Sequence, residues 1–211
     1  MSKDTVQTDE PSIYLASKSP RRIELLRQIG VKFEELLVRE SDGRRRDVVE
    51  TPRKDEAALE YVRRIARTKA AVGWHQMSRR KLPLRPVLAA DTEVVIDGAI
   101  LGKPADASDA IAMLRRLSGN THDVLTAVAV RWHAQIVLAV SISQVSFRAL
   151  TQGEVARYVA SGEPFDKAGA YAIQGRAAAF IRHLDGSYSG VMGLPLFETT
   201  EILAKIGYHL P

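Results

Sequence analysis

The sequence of 211 residues contains no cysteine and few aromatic residues. Without cysteine the chain cannot form disulfides, bind a metal through thiolates or use a thiolate nucleophile, which excludes the protein classes that depend on them. Aromatic residues make up 6% of the chain and form no stacking series. We therefore expect no stable nucleic-acid partner.

Long apolar runs are also missing. No run approaches the roughly 18 residues needed to span a bilayer, and residues 1–5 lack the apolar core of a signal peptide. These features predict a cytoplasmic protein with no membrane association. The formal net charge is +5, which suits an anionic partner. Much of this excess lies in two basic clusters, 44–46 and 79–81, which we interpret as solvated surface.

The order of strand-like and helix-like segments predicts an α/β fold. Residues 1–11 are polar and patternless and are predicted to form a disordered tail, so a single domain would span 12–211. Strands and helices alternate early, whereas the middle contains two runs rich in β-branched residues that are typical of an antiparallel pair. We expect a mixed twisted sheet with flanking helices that form two lobes around a cleft.

The individual elements follow from apolar periodicity, caps and turn residues. Thr151 and Glu154 form the pattern of a capping box. Helices are predicted at 20–29, 55–72, 108–117, 152–161 and 195–206, and strands at 13–16, 33–38, 87–90, 93–96, 124–130, 136–147 and 177–184.

The segment Ser17-Lys18-Ser19-Pro20-Arg21-Arg22 places two hydroxyls and two guanidiniums where a strand turns into a helix. Free backbone N–H groups, the helix dipole and bidentate arginines together make an anion site at such a place. The alternative is an N-capping serine followed by surface arginines. The segment is not a P-loop, because the glycines of that motif are missing.

Lys69 lies within the apolar stripe of the predicted helix 55–72. A lysine on a buried face is costly unless an anion satisfies it, so either an internal carboxylate or a substrate phosphate should be nearby. The alternative is a lysine that snorkels to solvent. The stripe consists of Ala58, Val62, Ile65 and Val72.

Asp91 follows a run of small and apolar residues, 87–90, and is expected at the end of a buried strand. A carboxylate there can bind a metal or act as a general base, whereas the alternative is a turn-forming aspartate. The turn Asp97-Gly98 would bring Lys103 back to the level of Asp91. Phosphoanhydride cleavage needs a carboxylate, a divalent ion and several cations, because charge on the phosphate oxygens must be neutralised.

A loop rich in glycine covers residues 162–175 and carries Asp166, Lys167 and Gln174. A glutamine amide offers both a donor and an acceptor, so Gln174 could read a base edge. The alternative is a structural loop whose glutamine bonds the backbone. The five histidines show no ligand spacing and are interpreted as ordinary structural or surface residues.

Taken together, these short motifs resemble the Maf family of septum-formation inhibitor-like proteins across residues 13–207. Their order and spacing are specific, although each motif is short. The matching pieces are Leu15-Ala16-Ser17, Ser19-Pro20-Arg21-Arg22, Lys69-Ala70, Ala90-Asp91-Thr92, Gly102-Lys103-Pro104, Leu117-Ser118-Gly119, Asp166-Lys167-Ala168-Gly169-Ala170-Tyr171, Ile173-Gln174-Gly175, Gly186-Ser187-Tyr188 and Gly193-Leu194-Pro195-Leu196.

The resemblance implies a nucleotide-binding cleft in a fold that is usually homodimeric. It also implies hydrolysis of nucleoside triphosphates between the α and β phosphates with a divalent metal, magnesium or manganese. Asp91 resembles the family's proton acceptor and acidic metal-site residue. The groups that resemble its phosphate ligands are Ser17, Arg22, Lys69 and Lys103.

Arg21, Thr92 and Gln174 resemble the positions that separate the family's branches by base, and here they match the dTTP/UTP branch. CTP or a modified pyrimidine nucleotide would be further candidate substrates. Asp42 falls where the family often has a second metal-site glutamate, and Glu40 is the neighbouring alternative.

A non-enzymatic binding protein is the main alternative, acting on a division or polyanionic partner through its basic surface. The sequence favours the enzyme, because Asp91, Lys69 and Lys103 are all present and a decayed site would have lost one of them.

Overall fold

The computed structural model describes residues 13–36 and 48–210. Within these ranges the chain forms an open mixed sheet of seven strands with helices on both faces, which confirms the predicted α/β class. The predicted tail 1–11, the first basic cluster, Glu40 and Asp42 lie outside the described residues.

No helix in the described ranges is both long and apolar enough to cross a membrane.

The elements follow the predicted order closely. The strands are β1 (Ile13–Leu15), β2 (Phe33–Glu35), β3 (Val87–Ile96), β4 (Ala99–Leu101), β5 (Thr121–Trp132), β6 (Gln135–Phe147) and β7 (Ile181–Asp185); the helices are α1 (Pro20–Gln28), α2 (Ala58–Arg79), α3 (Ala107–Leu117), α4 (Gln152–Ala160), α5 (Tyr188–Met192) and α6 (Leu196–Ala204), and two 3₁₀ turns occupy Ala168–Ala170 and Arg176–Phe180.

The sheet has the order β2-β1-β3-β5-β6-β7, and β4 pairs with the end of β3. β1 runs parallel to both β2 and β3, whereas the other pairs are antiparallel. The long β5–β6 hairpin confirms the predicted antiparallel pair and extends it in both strands.

Alternate residues of β3 face two separate hydrophobic clusters, one on each side of the sheet. Helix α2 covers one face through Val62, Ala66 and Ala70. The remaining helices pack on the other face, where α1 and α3 contribute Leu26 and Leu114. Both faces of the central strand are therefore buried, which explains its nearly continuous apolar sequence.

Two local predictions are confirmed at the level of hydrogen bonds. The Thr151 hydroxyl accepts from the backbone N–H of Glu154 at 3.3 Å, and the Glu154 carboxylate accepts from the backbone N–H of Thr151 at 2.8 Å. Asp97 and Gly98 both adopt positive φ, as a tight hairpin turn between β3 and β4 requires.

The predicted helix 55–72 has the wrong limits, because α2 begins at Ala58 and continues to Arg79. Asp55 adopts a φ of 59°, which excludes it from a right-handed helix. The helix continues through Gly73, where a Cβ would lie 2.8 Å from Val87 Cγ1. Gly73 is thus a point of close helix–strand packing and not a stop. The basic cluster 79–81 at the end of α2 is exposed, as predicted.

The predicted strand 177–184 is also partly wrong. Its first residues form the 3₁₀ turn Arg176–Phe180, in which Ala178 N donates to Gly175 O at 3.1 Å, and β7 begins only at Ile181. An apolar run of four residues cannot by itself distinguish a tight turn from a strand. The short helix α5 was not predicted.

Candidate active site

Asp91 lies in the middle of β3, because the two predicted strands 87–90 and 93–96 form one strand. The expectation of a strand end at Asp91 was therefore wrong. On the edge of β3 that faces away from β5, β1 pairs only with the start of the strand and β4 only with its last three residues. This edge therefore has no strand partner around Asp91 among the described residues. β3 continues past Asp91, whereas β1 and β4 stop on either side of it, and a cleft opens between these two strands.

A cavity of about 590 Å³ occupies this cleft. Its lining includes eight of the nine site residues predicted from the sequence, and the ninth, Asp42, lies outside the described residues. The structure therefore brings together positions that are up to 157 residues apart, from 17 to 174. The eight are Ser17, Arg21, Arg22, Lys69, Asp91, Thr92, Lys103 and Gln174.

The Arg22 guanidinium is held rigidly on one wall of the cavity. Its Nε donates to Gly193 O at 2.8 Å, while Nη1 and Nη2 donate to Ser17 Oγ at 3.3 Å and Thr92 Oγ1 at 3.4 Å. Ser19 occupies the N-cap position of α1, but its hydroxyl makes no capping hydrogen bond. The geometry thus supports the anion-site interpretation over the capping alternative.

Lys69 is 4% exposed and lies between two carboxylates. Its Nζ donates to Asp91 Oδ1 at 2.9 Å and forms an ion pair with Glu50. Glu50 reaches this position because Val48, two residues earlier, is buried in the cluster beneath α2. An internal carboxylate therefore satisfies the buried ammonium, and the snorkelling alternative is wrong.

Three acidic residues, Glu50, Asp91 and Glu93, line the same cavity as Lys69. Asp91 Oδ2 and Glu93 Oε2 are buried and have no hydrogen-bond partner within the described ranges. Burial raises the pKa of Asp91, and Lys69 opposes this shift. Burial, and then the charge of Asp91, raises the pKa of Glu93 to about 8. Raised pKa values mean that these carboxyl groups hold protons more readily, and a bound cation would favour their ionised forms.

The carboxylates fit a divalent ion that shares its coordination with substrate. The described residues contain no group of three or more acidic or histidine side chains that could hold a metal by themselves. Magnesium, however, is commonly bound by one or two carboxylates together with substrate phosphates. Glu50 and Asp91, which contact the same ammonium nitrogen, provide that number.

Glu50 and Glu93 are cavity residues that the sequence analysis missed. Glu93 lies two residues after Asp91 in a strand, so the period of two would have placed both carboxylates on one face. No comparable pattern marks Glu50, whose place beside Lys69 depends on the tertiary packing of residues 48–50.

The residues expected to select the base lie around the cavity in different environments. Thr92 Oγ1 lies 3.0 Å from Thr126 Oγ1 and accepts from Arg22, so this hydroxyl belongs to the network that fixes the guanidinium. Burial, and then the neighbouring charge of Arg22, lowers the pKa of Arg21. Gln174 is exposed within the cavity-lining loop, where its amide is accessible to a ligand.

The buried His122 contacts Tyr171, a residue of the cavity wall. His122 Nε2 lies 2.8 Å from the hydroxyl of Tyr171, which itself lines the cavity. The imidazole also packs edge-on against Phe147 with ring centroids 5.2 Å apart. Burial lowers the pKa of His122 to about 4. The structure therefore confirms the structural interpretation of this histidine.

We expect His122 to make the fold sensitive to acid. Its pKa in the unfolded chain is about 6.5, so between that pH and about pH 4 the unfolded state binds a proton that the folded state does not. The free energy of unfolding should fall by about 3 kcal/mol over this window and be insensitive to His122 above it. Denaturant titrations from pH 4 to 8 would measure this change.

His122→Gln should flatten the acid limb of that stability profile, whereas His75→Gln, on the exposed face of α2, should leave it unchanged. The same acid limb in wild type and His122→Gln would contradict the assignment.

Comparison with known proteins gives consistent matches over almost the whole chain. The family model described as "Maf-like protein" matches residues 12–206. The dTTP/UTP pyrophosphatase of Nitrosomonas europaea is 55% identical over 92% of this chain and 94% of its own. The proteins of the same name from Aromatoleum aromaticum and Chromobacterium violaceum are 56% and 50% identical, over 94% and 98% of this chain and 97% and 100% of their own.

Proposed function

The chain belongs to the Maf-like protein family, and we propose that it hydrolyses dTTP and UTP to the nucleoside monophosphate and pyrophosphate. The observation that carries this proposal is the buried Lys69 between Asp91 and Glu50, inside a cavity that also presents Arg22 and Lys103. This arrangement supplies a base and several phosphate-binding cations at one place. The names of the relatives support the substrate assignment.

We propose Glu50 and Asp91 as the residues that would hold a divalent cation, magnesium or manganese. Both are carboxylates that line the cavity and contact the same ammonium group. When bound, the ion would neutralise charge on the phosphate oxygens. Asp42 stays a prediction for the same role.

In the proposed reaction, Asp91 accepts a proton from the attacking water. Lys69 holds Oδ1 of this carboxylate, which leaves Oδ2 for the water. The water oxygen forms a bond to the α phosphorus, the bond from that phosphorus to the bridging oxygen breaks, and pyrophosphate leaves with the bonding pair. The phosphate oxygens are bound by Arg22, whose orientation is fixed before substrate arrives, and by Ser17 and Lys103.

A pyrophosphate-release assay across common and modified nucleoside triphosphates, with magnesium or manganese, tests this function. We expect turnover of dTTP and UTP, with CTP and modified pyrimidines as the next candidates. Release of orthophosphate in place of pyrophosphate would contradict the proposed bond cleavage. No turnover across the panel would instead favour the non-enzymatic binding protein, which should bind polyanions tightly and with strong salt dependence.

We propose that Gln174 selects the pyrimidine through its side-chain amide. Gln174→Glu replaces the amide donor with a second acceptor, so discrimination in favour of thymine and uracil should weaken by about 1–3 kcal/mol. The measurement is kcat/KM for dTTP and UTP relative to that for dGTP and dATP. Gln28→Glu, at the exposed end of α1, is the matched control. An unchanged ratio in Gln174→Glu would rule out this role.

The resemblance also leads us to propose a homodimer in the cytoplasm. Light scattering of the purified protein over a range of concentrations tests the dimer, since a constant monomeric mass would contradict it.

A further inference from the structure

Glu163 lies in the turn after α4 and connects three separate groups through one half-buried carboxylate. Tyr158 OH donates to Oε1 at 3.0 Å, and the backbone N–H groups of Arg176 and Ala177 donate to Oε2 and Oε1 at 3.0 and 3.4 Å. Tyr158 is itself fixed by the edge-on contact of its ring with Phe180, at 5.2 Å between centroids. The carboxylate thus joins α4 to the 3₁₀ turn.

The two backbone donors are the first N–H groups of the 3₁₀ turn Arg176–Phe180. The residue that precedes the turn, Gly175, provides no side-chain cap. Glu163 therefore serves as a cap from 13 residues away and satisfies donors that would otherwise have to find water. A negative charge at this end of the turn also matches the local backbone dipole.

The backbone at Gly175 passes directly against this carboxylate. A Cβ at Gly175 would overlap the Glu163 side chain, so only glycine permits the approach. Gln174 is the next residue toward the cavity, and Ile173 on its other side is buried in the main core. The position of Gln174 is thus fixed on one side by hydrophobic packing and on the other by the Glu163 carboxylate.

We propose that Glu163 is a positioning residue for base selection, which acts by holding the loop that presents Gln174 to the nucleotide. This inference rests on the proposed function. Glu163 does not need to touch substrate: its hydrogen bonds keep the amide of Gln174 in one place, so that binding does not have to order the loop.

The variant Glu163→Gln tests this role with little change in shape. An amide has one acceptor oxygen and adds N–H donors, so it cannot accept from both backbone groups and Tyr158 together. We expect the ratio of kcat/KM for dTTP to that for dGTP to fall about tenfold, the effect of one lost hydrogen bond. The loss should appear in the KM for dTTP, with kcat nearly unchanged. Glu163→Asp, which keeps the charge, should recover part of the ratio.

A double-mutant cycle determines whether the effect passes through Gln174. In a Gln174→Ala background, Glu163→Gln should cause no further change in the ratio. The matched control is Glu154→Gln, which removes a similar carboxylate cap from α4 and its contact with Arg148. That variant should lose stability without changing the dTTP preference.

Amide hydrogen exchange at residues 175–178 provides a readout independent of turnover. Faster exchange there in Glu163→Gln, together with the lower dTTP preference, supports the proposal. Wild-type preference in Glu163→Gln, or an equal further loss in the Gln174→Ala background, overturns it. A wild-type protein that hydrolyses none of the nucleotides refutes the proposed function itself and is recognised before any variant is compared.

Discussion

The change of Asp91 to asparagine is expected to lower the turnover of dTTP by about 10²- to 10⁴-fold, the contribution of a positioned general base. Asparagine keeps the shape of the side chain. Its oxygen can still accept the hydrogen bond that Lys69 Nζ donates to Asp91 Oδ1 at 2.9 Å in the wild-type protein. What is lost is the charge that accepts the proton from water. Initial rates of pyrophosphate release would measure the effect as kcat and kcat/KM.

The stability of the Asp91→Asn protein should equal or exceed that of wild type. Burial raises the pKa of Asp91, so the ionised carboxylate is a cost to the fold that the amide removes. Asp97→Asn, in the exposed turn of the same hairpin, is the control and should keep full activity. If Asp91→Asn retained a tenth or more of the wild-type rate, Asp91 could not be the base.

Replacing Lys69 with methionine should have the largest effect on stability. Lys69 is 4% exposed, and its ammonium forms ion pairs with both Asp91 and Glu50. Methionine fills a similar volume but leaves the buried Asp91 and the half-buried Glu50 without this partner. Breaking a buried ion pair in this way costs about 3–5 kcal/mol, and denaturant unfolding of metal-free protein at pH 8 would measure it.

The loss in Lys69→Met should depend on pH in a defined direction. Burial raises the pKa of Asp91 and of Glu93, and Lys69 opposes both shifts. Without the lysine these pKa values rise further, so the folded state binds more protons than the unfolded state, and stability falls as pH rises. The destabilisation should therefore be smaller at pH 5 than at pH 8. Lys205→Met, on the exposed end of α6, should change stability by less than about 0.5 kcal/mol. A Lys69→Met protein as stable as wild type at pH 8 would disprove the pairing.

Local sequence was informative wherever a single segment contains its own signal. The capping box of Thr151 and Glu154 and the turn Asp97-Gly98 needed no distant contacts and were predicted correctly. The limits of α2 were not, because Gly73 is tolerated only through its close packing on Val87. Glycine normally weakens a helix, but at position 73 the close approach of Val87 in β3 leaves no room for a larger residue.

The residues of the candidate active site also differ in whether local sequence or tertiary packing reveals them. The sequence indicated Lys69 and Asp91 through one unexpected charge in an apolar stripe and one carboxylate after an apolar run. Glu50 gave no such signal, since its position depends on Val48 packing beneath α2. The cleft forms because β1 and β4 pair with only the two ends of β3. The periodicity of one segment does not show how far it pairs with another.

The sequence by itself determined the α/β class, the order of the main elements and most of the chemical groups of the site, because these depend on residue type and short-range spacing. Only the tertiary structure decided that Asp91 lies within a continuous strand, that Glu50 joins it at Lys69, and that Glu163 accepts hydrogen bonds from the backbone that follows Gln174. These are contacts between distant segments, and their geometry is set by how the sheet, α2 and the loops pack together.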